Sequence, residues 1–564
     1  MRSVRGGARL PPEGTSTDSL HAAPDRMRAK HAKPRPLGFA RSRSSGAYAA
    51  IIVLGTLVIA GALLRVWILG HAPISSDEAT PGLVAHQILQ GHFYAFCWGQ
   101  SYGGVEPYVL ALNFLIFGQS PFVLNATPAV LALVGSILVW RIGIRLFQPA
   151  AAVVAAVLSW IWSESTLWNS TREYGYHEVC LVLGLVLVLQ SLRIAQRSRD
   201  EGNDRLIDWA IIGAAGGVGF WASPEIVYFA IPAIVMVATT LRVRSASEVV
   251  ARLAVAVGTA LLGMLPWVWA VSTSSSGTGI PPSPVSYLSR LDTFFTHVLP
   301  MILGLRVEGV GLWEGGHAVG VIVYSLVVVF VMACAILLAL RRPGAWVLLL
   351  TLALYPFLYA AFPTSWFWND GRYGISLTPI LSLIIAGGLW QMVRPPIATW
   401  LGSALLVLAC ASTLVAFNDG YGAIRTPSEL TSFAANPNLA VSRLANQLKR
   451  LGITHAYAGY WVANNLTFIS NSEVTALSLG ENRNPPGASN ASEKNVAWIF
   501  VPDASVAADA AQLGSVSDIE PGTVTEPALV GWLTAHGVPY RKTSTDGFVV
   551  IVPAESVRPA QVSG

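Results

Sequence analysis

The chain is dominated by apolar runs long enough to cross a lipid bilayer. Hydrocarbon offers the backbone no water, so a crossing segment must be a helix closed on its own hydrogen bonds or a strand of a closed barrel. About 20 apolar residues suffice for a helical crossing, and the first run, residues 47–70, has that length. Further runs follow at roughly 121–146, 149–164, 177–196, 206–222, 224–241, 249–270, 317–340, 344–361, 373–392 and 398–416. Eleven transmembrane helices are therefore expected, within a mostly α, polytopic membrane protein. Composition agrees, with 53% hydrophobic and only 12% charged residues, against about 25% charged in a soluble domain. A disordered chain is excluded as well, since it needs low hydrophobicity and high charge.

Charge sets the expected orientation. Residues 1–46 carry ten Lys/Arg against three acids and read as a disordered basic cytoplasmic tail. With that tail inside, the inner segments hold 22 Lys/Arg, while the outer loops before residue 417 hold four: Arg172, Arg290, Arg306 and Arg372. Short cytoplasmic loops carry the basic excess, so the asymmetry puts the N-terminus in the cytoplasm of a cell with an inner (plasma) membrane. Residues 106–118 are apolar too, but a crossing there would move Arg141 and Arg145 outside. They are read as a helix at the outer interface. The net charge of +5 does not mark a nucleic-acid binder, because its basic residues sit between apolar helices. Four scattered cysteines without CxxC spacing signal neither a disulfide framework nor a zinc site.

Eleven crossings leave residues 417–564 outside, and that stretch is far more polar. Residues 441–451 read as an amphipathic helix stopped by Gly452, 455–461 and 496–501 as strands, and 527–536 as a second helix. Residues 540–542 and 548–552 read as a hairpin around Asp546-Gly547. The expectation is a small extracytoplasmic α/β domain.

Chemistry concentrates in the first outer loop, residues 71–120, which has no Lys or Arg. Asp77 and Glu78 stand just after the first crossing, followed by a helical pattern with Ala79, Leu83, Ile88 and Leu89 on its apolar side. Tyr102, the pair Gly103-Gly104 and Glu106-Pro107 come next, then an apolar helix ending Phe117-Gly118. A carboxylate tethered there has two uses. It can cap the following helix through Ser76-Asp77, or it can act as a general base or cation ligand at the membrane surface.

This pattern of a first crossing, Asp77-Glu78-Ala79, a helix ending in Gly, Tyr and Pro, and an apolar helix ending Phe-Gly resembles the integral-membrane glycosyltransferases of the GT-C fold. That group includes the protein O-mannosyltransferases and the lipid A aminoarabinose transferase. The resemblance covers roughly residues 47–392 and is specific in 77–118. It implies a GT-C-like transmembrane domain over 47–416, with its catalytic outer loop at 71–120. It also implies a sugar donor on polyprenyl phosphate, a hexosyl or pentosyl group transferred with inversion, and a glycan, lipid or protein acceptor. The base it implies is Asp77, with Glu78 beside it.

A leaving phosphate needs cationic or hydrogen-bond stabilisation, and the outer loops offer few cations. Arg372-Tyr373 resembles the family's late Arg-Tyr pair, and a guanidinium fork suits phosphate oxygens. The same residues also suit an interfacial anchor beside Trp366 and Trp368. Glu173 is the candidate for the family's second acidic residue, with Glu164 and Glu178 as alternatives, and Arg172 either binds substrate or pairs with a nearby Glu to hold its loop. Glu106 and Tyr102 complete the candidate substrate contacts. The outer segment 271–316, with a short helix over 298–305, is expected over the site. No cofactor is expected, though the family leaves a divalent cation open. Asp77, Glu78, His86, His92, Glu106 and His177 show no ligand spacing. The alternative function is a transporter or flippase, against which intramembrane charge is nearly confined to Arg65. A third is a glycan-binding sensor using Tyr457, Tyr460, Trp461 and Asn464.

Overall fold

A computed structural model describes residues 45–200, 204–241, 244–273, 283–308, 311–365, 370–424, 437–479, 495–501 and 524–562. The basic tail, Trp366 and Trp368, and most of the Ser/Gly/Pro-rich start of the 271–316 segment lie outside the described residues.

The apolar runs are helices. We number them α1 Ser45–His71, α2 Ser76–Leu89, α3 Glu106–Phe117, α4 Pro121–Leu146, α5 Pro149–Ile161, α6 Glu164–Asn169, α7 His177–Asp200, α8 Leu206–Ala222, α9 Val227–Leu241 and α10 Ala246–Thr273. After these come α11 Tyr287–Thr293, α12 Leu299–Ile302, α13 His317–Arg341, α14 Trp346–Ala361, α15 Thr378–Met392 and α16 Pro395–Ile424. Nine helical stretches among the described residues are long and apolar enough to cross a membrane. The remaining two of the eleven expected crossings, α5 and α8, are helices of 13 and 17 residues. Helix α5 is mostly buried, packed on α4, α15 and α16, so protein rather than lipid covers it. Helix α3, with 12 residues, is another short apolar helix. It buries Leu110, Ala111 and Phe114 and exposes Leu112, Leu115, Ile116 and Phe117.

Helix α15 is the axis of the bundle, with nearly every side chain from Thr378 to Trp390 buried. Helices α8 and α10 approach most closely through small residues. A Cβ at Gly217 would stand 2.1 Å from the Ala260 carbonyl oxygen, and one at Gly213 2.1 Å from that of Ala256. The Gly/Ala run at 213–219 is thus a backbone-contact surface, the use expected of small residues between membrane helices.

The C-terminal region holds helices α17 Pro437–Arg450, α18 Tyr460–Ile469, α19 Glu526–Ala535 and α20 Pro559–Val562, with strands β1 His455–Ala458, β2 Thr475–Ser478, β3 Val496–Phe500, β4 Tyr540–Thr545 and β5 Phe548–Pro553. The sheet runs β2-β1-β3-β5-β4. β1 is parallel to β2 and β3, and β5 is antiparallel to β3 and β4. Side chains alternate across it. Ala456, Ala458 and Ile499 face α17 and α18, whereas Tyr457, Trp498 and Ile551 face α19. The expected hairpin turns at Asp546-Gly547, both at positive φ. One expectation fails: the strand proposed over 455–461 ends at Ala458, and Tyr460 and Trp461 open α18. Val462, Ala463 and Leu466 at helical spacing pack on α17, so tertiary burial overrides the β-favouring aromatics.

Because the Ala260 carbonyl is backbone and cannot move aside, Gly217→Ala should lower the melting midpoint by about 5 °C. Gly216→Ala, whose nearest neighbour would be 3.9 Å away, should leave it nearly unchanged. Thermal unfolding of both variants in detergent checks this.

Candidate active site

The site begins at the end of α1. Ser75, not Ser76, caps α2: its hydroxyl accepts from the Glu78 amide. The Asp77 side chain is therefore not engaged as the cap. It is part-exposed on the first helical turn, where Arg372 Nη1 donates to its Oδ2 at 3.3 Å and the Tyr460 hydroxyl to its Oδ1 at 2.7 Å. Asp77 and Arg372, some 300 positions apart in sequence, share one ion pair.

Arg372 is heavily constrained. Its Nε lies 2.6 Å from Asp370 Oδ2, and its guanidinium sits over the rings of Tyr174 at 4.4 Å and Tyr373 at 5.3 Å. Burial works against the charge, but Asp370, Tyr373, Tyr174 and Asp77 outweigh it and hold the arginine firmly protonated. Its backbone is pinned as well. The Gly371 amide donates to Glu308 Oε1 at 2.6 Å, and a Cβ at Gly371 would stand 2.1 Å from Ser165 Oγ. Only glycine fits between α6 and the Arg372 loop.

The other candidates fall into separate sets. Glu78 is buried and binds Arg172 Nη1 at 3.1 Å and the Asn125 amide at 2.8 Å. Arg172 also donates to the Pro73 carbonyl and stacks over Trp168 at 3.8 Å. It does hold a loop by an ion pair, but with Glu78 rather than a neighbouring glutamate of its own segment. Adjacent positions on a helix diverge, so Glu78 turns inward while Asp77 stays part-exposed. Burial raises the Glu78 carboxyl, against the pull of Arg172 and Asn125.

Glu106 and Glu173 form a buried carboxyl pair. Burial raises both, and the charge of Glu106 raises Glu173 further. Glu173 Oε1 also accepts from the Gly175 amide at 2.8 Å. Tyr102 meets Tyr176 edge-on at 4.9 Å, and Tyr176 leads through His177 to Tyr373. Tyr373 is buried, and its carbonyl accepts from the Tyr355 hydroxyl. The described part of the 271–316 segment packs beneath the Arg372 loop. Val298 and Ile302 lie against Gly374, and Glu308 holds Gly371. Among the described residues no three His, Cys, Asp or Glu side chains gather into a metal-binding group.

Tyr460, Tyr174 and Asp370 were not expected at the site. The sequence pattern instead puts Tyr460 in a strand of a glycan-binding patch. That patch is not assembled, since Tyr457 is buried and Asn464 donates to Thr80 Oγ1 at 2.9 Å. The one signal for Tyr460 was its position ahead of an apolar 3-4 spacing.

Glu308 makes the site's support pH-sensitive. Burial, with Asp370 adding to it, raises its carboxyl to about 8. The folded protein keeps this proton above the ordinary carboxylate range whereas the unfolded chain loses it. Its contribution is complete below about pH 4.5 and is lost as pH rises through about 8. Glu308→Gln retains an acceptor oxygen for the Gly371 amide and has no proton to lose. Its melting midpoint should match wild type near pH 5 and exceed it by about 3 °C or more at pH 9, measured by thermal unfolding across that range.

Residues 104–269 match the family model described as dolichyl-phosphate-mannose-protein mannosyltransferase, a stretch that contains Glu106, Arg172 and Glu173. No curated protein matches the chain. ArnT from Cupriavidus metallidurans in the apo state is similar in structure, with TM-score 0.57, 14% identity, and 92% of this chain and 100% of that chain covered. The same protein bound to undecaprenyl phosphate gives TM-score 0.57 and 13% identity over 92% and 99%. The Archaeoglobus fulgidus oligosaccharyltransferase in the apo form gives TM-score 0.45 and 13% identity over 83% and 69%. The chain has the GT-C fold, and over residues 104–269 it is similar to the membrane glycosyltransferases that its first outer loop resembles.

Proposed function

We propose that the protein is a membrane glycosyltransferase that moves a sugar from a polyprenyl-phosphate donor to an acceptor hydroxyl at the outer membrane surface. The observation that carries this is the Asp77–Arg372 pair: a carboxylate and a guanidinium meet, both part-exposed, the two groups that inverting transfer from a phosphate requires. ArnT, whose fold the chain shares, is described with undecaprenyl phosphate bound, which supports a lipid phosphate as leaving group.

Asp77 takes the acceptor hydroxyl's proton as its oxygen attacks the anomeric carbon. The new carbon–oxygen bond forms on one face as the bond to phosphate breaks on the other. The electron pair leaves with the polyprenyl phosphate, whose charge Arg372 meets with its fork of donors. Arg372 also pairs with Asp77. Arriving phosphate competes for the arginine and frees a carboxylate oxygen for the acceptor. Tyr174 and Tyr373 keep the guanidinium in plane, and Asp370 and Glu308 fix its loop.

The basic inner segments support a cytoplasmic N-terminus, with the α/β region of residues 417–564 outside a bacterial inner (plasma) membrane. Arg65, the charge inside α1, supports no transport path. It donates to the Gly61 and Trp160 carbonyls and to Ser170 and stacks on Trp160, all within packed protein.

Purified protein in liposomes, given labelled undecaprenyl phosphates carrying mannose, glucose, galactose or arabinose with crude envelope acceptors, tests this. Asp77→Asn should reduce the turnover rate about 10³-fold while retaining the wild-type melting midpoint. Arg372→Lys keeps the charge but loses the fork, and should reduce it about 10²-fold. Equal transfer by wild type and Asp77→Asn removes Asp77 from the chemistry.

A further inference from the structure

Tyr460 reaches the site from the far end of the chain. It opens α18, directly after Gly459 leads out of β1, and its hydroxyl lies 2.7 Å from Asp77 Oδ1. The contact is not an isolated touch. The Ser76 hydroxyl donates to the Tyr460 carbonyl, and the Asn465 amide donates to the Ile74 carbonyl at 3.0 Å. Asn438 accepts from the Ile74 amide at 3.1 Å and donates to the Ala72 carbonyl at 3.2 Å. With Asn464 donating to Thr80 Oγ1, the C-terminal region is hydrogen-bonded on both sides of Asp77.

We propose that the C-terminal α/β region completes the active site, with Tyr460 as the positioning residue that holds the Asp77 carboxylate toward the acceptor. The inference rests on Asp77 being the base. The Tyr460 proton stays on its phenol, and the acceptor's proton goes to Asp77. Donation to Oδ1 holds the carboxylate's rotation for the acceptor. The donated bond also favours the charged form of the carboxylate.

Among the described residues, the charged and titratable groups facing Asp77 include Arg372 and Tyr373 from the 370–373 loop, with Asp370 behind Arg372, and Tyr460 from α18. Glu78 and Arg172 are paired to each other on the inner side of α2. Of these, Tyr460 is the hydrogen-bond donor that transfer does not itself displace.

The test is the pH dependence of transfer in liposomes, using the undecaprenyl-phosphate sugar that wild type turns over. Tyr460→Phe keeps the ring and its packing. It should move the acid limb of the turnover profile up by about one pH unit, a tenfold loss at pH values below the limb. Replacing the Tyr460 phenol by its 3,5-difluoro analogue, a stronger donor of nearly the same size, should move the limb down. The two opposite shifts separate positioning from folding, and thermal unfolding accompanies both. An inactive Asp77→Asn with unshifted limbs for both Tyr460 replacements, whatever their absolute rates, overturns the role of Tyr460 and leaves Asp77 as base. Full transfer by Asp77→Asn, or no transfer by wild type with any donor, overturns both.

Discussion

Arg372 is a full positive charge at the rim of an apolar bundle, and the protein around it is arranged to keep that charge compensated. An ion taken from water costs several kcal/mol unless partners replace its hydration. Asp370 lies against one side of the guanidinium, Asp77 against another, and Tyr174 and Tyr373 offer their faces. The backbone that presents it is pinned from below by Glu308 through the Gly371 amide. That pinning explains the route of the 298–308 segment. Its Val298 and Ile302 pack on Gly374 and its Glu308 holds the Gly371 amide, so it supports the loop that carries Arg372.

The same cost recurs at the buried carboxyls, and it is met in two ways. Glu78 is matched by a buried arginine and the Asn125 amide. Glu106 and Glu173 are both raised by burial, and Glu173 further by the neighbouring Glu106. Glu164 and Glu308 are raised by burial, and Glu164 further by Glu308 itself. The groups closest to the membrane-facing core are therefore neutral or paired. Asp77 is part-exposed and pairs with the part-exposed Arg372, whereas Glu78, one position away, is buried against Arg172.

Much of the bundle was legible in the sequence, because a bilayer-length apolar run has one structural solution. The first outer loop was legible for the same reason that it is unusual: carboxylates without Lys or Arg beside an apolar exit. The assignment of Arg372 followed from scarcity, since few outer cations were available. What the sequence hid was pairing across distance. Nothing local tells Arg172 to choose Glu78 over Glu173, and nothing marks Ser75 rather than Ser76 as the cap. The aromatic start of α18 carries strong β preference that only its packing on α17 and α2 overrides.

The junction between α2 and α18 is polar for a reason that bears on the chemistry. Apolar packing alone tolerates small slides of one surface over another, whereas hydrogen bonds to backbone carbonyls and amides are directional and short. The contacts of Asn438, Ser76, Thr80, Asn464 and Asn465 span both the approach to α2 and its first turn. Phe468 packs on Gly82 one turn further along, where no Cβ would fit. Together they set the axial position and the rotation of α2 relative to α18. A carboxylate on the first turn then has its Cα fixed, leaving only its side-chain torsions free, and a single phenol at the start of the facing helix is enough to choose among them.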